Sequence, residues 1–125
     1  MSTFSEPASQ QFNVFNVTQL TPDSFLESAL GLDIVRVAPN STSEIHRHNA
    51  SDNLVYILDG TGAVSLDGVV TPIYPRMRIL IPRGVAHGFK SSSTELVFVS
   101  AQVPPILDEK TGVFDREVTV ASGEW

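Results

Sequence analysis

NSTSEIHRHNASDNLVYILDG, residues 40–60, holds two of the three histidines of this 125-residue chain, His46 and His48. On a strand, residues i and i+2 project from one face, roughly 7 Å apart. On a helix they diverge by about 200°. Both rings reach a common ion only if this segment is extended. The polar flanks, STSE before and NAS after, argue against a helix. The third histidine, His87, lies far downstream in IPRGVAHGFKSSS (81–93), a strand-like segment that a barrel would bring opposite the pair. An isolated His-x-His pair carries little weight alone, so the surrounding pattern decides.

Composition narrows the classes. Hydrophobic residues make up 42% and charged residues 18%, the balance of a chain with a packed core. The net charge is −6 and no basic cluster occurs, which argues against nucleic acid and against anionic membranes. No apolar run approaches the roughly 20 residues of a membrane helix. The N-terminus lacks a basic start followed by an apolar stretch, so a cytoplasmic protein is expected. There are no cysteines, which excludes disulfides, thiolate ligands and a thiol nucleophile. A metal site here must use His, carboxylate, amide oxygen or water, a set suited to Fe, Mn, Ni, Cu or Zn.

Residues 1–11 are polar and read as a flexible tail before a single domain over 12–125. FNVFNV (12–17) alternates like a half-buried strand. In TPDSFLESAL (21–30), Thr21 as N-cap with Pro22 and Asp23 in the first turn predicts a short helical turn. From residue 32 the chain reads as short strands over 32–38, 53–59, 62–66, 76–81, 86–90 and 95–103. Turn signals such as Asp59-Gly60, Asp67-Gly68 and Pro82-Arg83-Gly84 separate them. One further strand is predicted at 117–121. Such spacing predicts an all-β sandwich or barrel.

With both histidine segments in view, the chain resembles the cupin superfamily. The first cupin motif runs Gly, five residues, His-x-His, three or four residues, Glu, six residues, Gly. Here Asn40 takes the first Gly position, STSEI fills the spacer, and His46 and His48 follow. NASD then leads to Asn53 at the Glu position, and LVYILD leads to Gly60. The second motif runs Gly, five residues, Pro-x-Gly, two residues, His, three residues, Asn. Arg76 takes its first position, MRILI precedes Pro82-Arg83-Gly84, and VA precedes His87; GFK then leads to Ser91. The two motifs, at 40–60 and 76–91, together cover the stretch from 40 to 91, about two fifths of the chain. The resemblance implies a double-stranded β-helix, the cupin jelly-roll barrel. It also implies a homodimer, with an edge strand such as QFNVFNV as the point of exchange.

The departures bear on chemistry. Asn40 tolerates the left-handed backbone that a Gly position implies, whereas Arg76 does not, which predicts a differently built turn there. Asn53 offers a metal only a neutral carbonyl oxygen in place of the carboxylate. Asp52 is anionic but one residue out of register, so it faces outward if Asn53 faces in. The expected centre is therefore His46, His48 and His87 around a divalent transition metal. Asn53 is either a weak fourth ligand or a hydrogen-bonding neighbour, with water or substrate completing the shell. Without a carboxylate the cation would be a stronger Lewis acid, held less tightly.

Alternation from these anchors places Val55, Ile57, Met77, Ile79, Ile81, Phe89 and Ser91 inward, with Phe98 lining the interior. For each apolar residue, core packing competes with a pocket role. Arg36, between valines, either points inward to bind a carboxylate or enolate or lies outside in an ion pair. Tyr56 is out of phase with Asn53 and is expected outside. An apolar pocket ending in a metal suits a small organic substrate with one or two oxygens. Two readings follow. One is a metal-dependent enzyme, a dioxygenase or an isomerase, cyclase or lyase, acting on a diketone, enol or hydroxy-ketone. The other is a non-catalytic cupin that binds or senses a sugar or organic acid. No phosphate loop, Ser-His-Asp order or paired catalytic carboxylates stand out.

Overall fold

Alternation along Asp52–Asp59 carries straight into the fold. Asn53, Val55 and Ile57 are buried, while Asp52, Leu54, Tyr56 and Leu58 are exposed. The computed structural model describes residues 3–108 and 112–125. Regular structure among these residues is all strand: β1 (Ser9–Phe12), β2 (Phe15–Gln19), β3 (Gly31–Val37), β4 (Ile45–Arg47), β5 (Asp52–Asp59), β6 (Gly62–Leu66), β7 (Val69–Ile73), β8 (Arg78–Ile81), β9 (His87–Ser91), β10 (Leu96–Val103), β11 (Leu107–Asp108), β12 (Val113–Phe114) and β13 (Glu117–Val120). No helix among them is long and apolar enough to cross a membrane.

Two antiparallel sheets form the barrel. One runs β1-β2-β3-β10-β5-β8 and the other β13-β4-β9-β6-β7; β11 and β12 pair separately. Between the sheets lie Val35, Val37, Val55, Ile57, Ile79, Ile81, Leu96 and Phe98, all nearly inaccessible to solvent. Each belongs to the inward phase of its strand, so the period-two pattern and the core are one fact seen twice.

Four expectations need correction. FNVFNV is not one strand: Asn13 takes a φ of 53° and the chain reverses there, pairing Phe12 with Phe15 across a β1–β2 hairpin. Asparagine tolerates that left-handed turn position. β1 consequently begins at Ser9, inside the stretch expected to be a tail. Residues 21–30 form turns, not a helix. Asp23 has a φ of 57°, outside the helical region, and the Thr21 hydroxyl accepts from the Leu32 N–H at 3.3 Å instead of capping. Lastly, the turn at Arg76 is not built differently. Arg76 itself adopts a φ of 77°, the left-handed conformation the Gly position implies, and Asn40 does so at 55°. The predicted strand at 117–121 is β13, which pairs with β4.

Candidate metal centre

β4 and β9 lie side by side, and their one registered pair is His46 with His87. This close approach is possible because residue 88 has no side chain. A Cβ there would stand 2.7 Å from Ile45 Cδ1 and 2.8 Å from the Glu44 carbonyl oxygen. His48 follows β4 on the same face as His46. Its carbonyl accepts from the Gly84 N–H at 2.7 Å, so the Pro82-Arg83-Gly84 turn is tied to the His-x-His segment. Ring centroids are 4.5 Å apart for His46 and His87, 5.0 Å for His46 and His48, and 5.1 Å for His48 and His87. One ring nitrogen from each of the three lies within 4.8 Å of the others.

The rings are uncharged and oriented. Burial, reinforced by the neighbouring imidazoles, lowers His46 to about 2, and burial lowers His87 to about 4. Burial lowers His48 as well. His48 Nδ1 lies 2.6 Å from the Asp115 carbonyl oxygen, and His87 Nδ1 lies 3.0 Å from that of Val85. A carbonyl can only accept, so both rings carry the proton on Nδ1 and keep the Nε2 lone pair. Neither Nε2 has a hydrogen-bond partner among the described residues. His46 Nδ1 is buried without a partner, 4.0 Å from Glu44 Oε1, and Glu44 forms an ion pair with Arg116. Three neutral imidazoles, two of them (His48 and His87) held through Nδ1 and open at Nε2, are the donor set of a divalent transition metal. The residues therefore fit such an ion.

Asn53 faces these rings from β5 and is buried. Its Oδ1 accepts from the Ser100 hydroxyl at 2.9 Å. Gln102 Nε2 donates to Ser100 Oγ at 2.7 Å and to Asp33 Oδ2 at 2.9 Å. Burial raises Asp33 to about 6, partly opposed by the Gln102 hydrogen bond. The adjacent Asp52 is exposed and paired with Arg83 at 2.9 Å, facing away as the register requires.

The histidines, Asn53, Val55, Phe89 and Phe98 line a cavity of about 110 Å³. Ile57 and Ile79 are buried in the core beside it, Met77 packs against that core, and none of the three reaches the cavity wall. Arg36 is not in the site: it is half-exposed and pairs with Glu95 at 3.3 Å. Its strand phase is that of Ile34, whereas Asp33, Val35 and Val37 form the inward row. Sequence reasoning missed Asp33, the one carboxylate lining this cavity among the described residues, and Arg116, which also lines it. Counting by twos from Val35 would have found Asp33. Arg116 follows β12 in the C-terminal arm, where no pattern signalled it. A second cavity of about 590 Å³ shares Gln19, Asp33, Gln102, Ile106 and Leu107 with the first, so Asp33 stands at the boundary of the two.

A two-sheet antiparallel barrel with three histidines gathered from β4, its exit and β9 defines a cupin. Residues 33–101 match the Cupin domain family. Protein SchB of Streptomyces halstedii is 30% identical over 103 residues, covering 80% of this chain and 73% of that protein. The chain belongs to the cupin family. Its fold is similar to that of Pac13 from Streptomyces, a nucleoside dehydratase solved with uridine (TM-score 0.74, 15% identity, 93% of this chain and 88% of that one). It is similar also to oxalate decarboxylase from Bacillus subtilis (TM-score 0.75, 15% identity), of which it spans 30% while 92% of this chain is covered. KdgF from a Halomonas species gives a TM-score of 0.67 at 16% identity, over 78% of this chain and 87% of that one.

Proposed function

We propose that the protein is a small metal-dependent enzyme acting on an oxygen-bearing organic substrate. His46, His48 and His87 would hold a divalent transition metal, and the cavity would take a diketone, enol or hydroxy-ketone. The observation that carries this reading is the convergence of three buried, uncharged imidazoles with open ring nitrogens on one cavity wall. When bound, the cation would supply Lewis acidity toward an enolate. Val35, Val55, Phe89 and Phe98 give that wall its apolar character and limit water. Asp33, anionic at neutral pH and raised toward it, is the group suited to take a proton from an acidic C–H of the substrate. Proton movement alone gives isomerase, cyclase or lyase chemistry, and oxygen uptake gives a dioxygenase. Enzymes among the fold neighbours, a dehydratase and a decarboxylase, support catalysis over passive binding.

The test is elemental analysis of protein never exposed to chelator, beside His87→Ala. One equivalent of Fe, Mn, Ni, Cu or Zn is expected in the wild type and less than a tenth in the variant. Oxygen consumption with a 1,3-diketone then separates dioxygenase from proton-transfer chemistry. A metal-free protein that retains a copurified sugar or acid would favour the binding cupin instead.

A further inference from the structure

The polar chain behind Asn53 has a direction, and the direction is set at its far end. Asp33, when ionised, can only accept, so Gln102 must turn its amide nitrogen toward it, at 2.9 Å. The same nitrogen donates to Ser100 Oγ at 2.7 Å. The single Ser100 hydroxyl proton is then given to Asn53 Oδ1 at 2.9 Å. Gln102 Nε2 also lies 3.2 Å from the Ser100 carbonyl oxygen, but the shorter contact to Oγ takes its second N–H, and the hydroxyl proton left over orients the Asn53 amide. Its oxygen is engaged with β10. Its Nδ2 carries two N–H groups with no hydrogen-bond partner among the described residues, on a side chain that lines the cavity with the histidines.

An amide N–H aimed toward a dication is repelled by it. The arrangement is favourable when an acceptor oxygen stands between the two, and most favourable when that oxygen is anionic. We infer that Asn53 is a hydrogen-bond donor and not a metal ligand: its Nδ2 serves the anionic oxygen of a molecule seated at the three histidines. The substrate class this selects is one that binds as an oxyanion, an enolate or a deprotonated hydroxyl. The inference rests on the metal-centre reading and narrows it. It also gives the Glu-to-Asn departure a physical sense. A Glu at 53 would place an acceptor where a donor is wanted.

Co(II) as a spectroscopic metal and azide as a monoanionic probe test this. Wild-type protein should take up one Co(II) and then bind azide, read from the visible bands. Asn53→Leu, neutral and similar in shape, should hold Co(II) within about threefold of wild type and bind azide about tenfold more weakly. Asn53→Asp, which folds on the same hydrogen bond from Ser100, should bind Co(II) at least tenfold more tightly and azide at least tenfold more weakly. Loss of Co(II) affinity in Asn53→Leu with azide affinity unchanged would identify a carbonyl ligand and overturn the inference. Azide affinity in Asn53→Asp within twofold of wild type would overturn it too. A wild type that takes up no Co(II) removes the metal centre itself and this inference with it, whereas Co(II) uptake with either failure above removes the inference alone.

Discussion

Arg76 holds a φ of 77°, with its N–H donated to the Ile57 carbonyl oxygen at 2.8 Å. A side chain in that region costs about 1 kcal/mol that Gly does not incur. Arg76→Gly should therefore raise unfolding stability by about 1 kcal/mol, seen as a higher urea midpoint with an unchanged slope. Asn40→Gly should gain much less, because asparagine already tolerates its 55°. Single residues also govern acid behaviour. Unfolded histidine binds a proton through pH 6.5, while folded His87 resists until about 4, so its contribution is present above 6.5 and lost as pH falls toward 4. Asp33 runs the other way: raised from 3.8 to about 6, its contribution is present at low pH and lost as pH rises through 6. From pH 7 to 5, His87 alone should cost metal-free protein about 2 kcal/mol, and Asp33 should return about 1 kcal/mol. Urea midpoints at the two pH values check this, and Asp33→Asn should make the acid loss steeper by about 1 kcal/mol. The residues legible from sequence were those anchored to a motif or to alternation, as Asn53 and Val55 were. Asp33 was legible in phase but masked by Arg36, which stands among valines one strand position from the inward row.

At the scale of strands, the centre depends on how closely β4 and β9 approach. β4 has only three residues, Ile45–Arg47, too short for its own alternation to declare it a strand. What marked the segment as extended was the chemistry of its two histidines. Gly88→Ala would place a methyl against Ile45 Cδ1 and the Glu44 carbonyl and force the strands apart. A loss of about 1–3 kcal/mol in stability is expected, together with weaker Co(II) binding, because the His46–His87 pair spans the same gap. Calorimetry and a Co(II) titration on one preparation report both effects. A variant that melts like wild type would show that β4 and β9 tolerate separation. β7 escaped the sequence reading for a different reason. Val69–Ile73 is exposed at four of its five positions and contains Pro72, which suits an edge strand and hides it from a search for buried runs. The β1–β2 hairpin escaped because Asn13-Val14 carries no glycine, so its turn looked like one more step of alternation.

For the whole molecule, the six-stranded sheet pairs β1 on one side only, with β2, among the described residues. An unpaired edge attracts a strand from another chain. The outward face of the same sheet exposes Leu54, Tyr56, Leu58 and Leu80, with exposures of 38–54%, more apolar surface than an isolated face gains from. Both features argue for a homodimer in solution, and they assign the contact to different places. Light scattering should give twice the chain mass of 13.6 kDa. Removing residues 1–12 should return a monomer if the contact is pairing along β1, whereas Leu80→Asp should do so if it is the sheet face. The edge is the arrangement expected here, because β1 is polar, with Ser9, Gln10 and Gln11 exposed, and one side of its backbone has no strand partner among the described residues. A monomeric mass for the intact chain at micromolar concentration would reject both contacts.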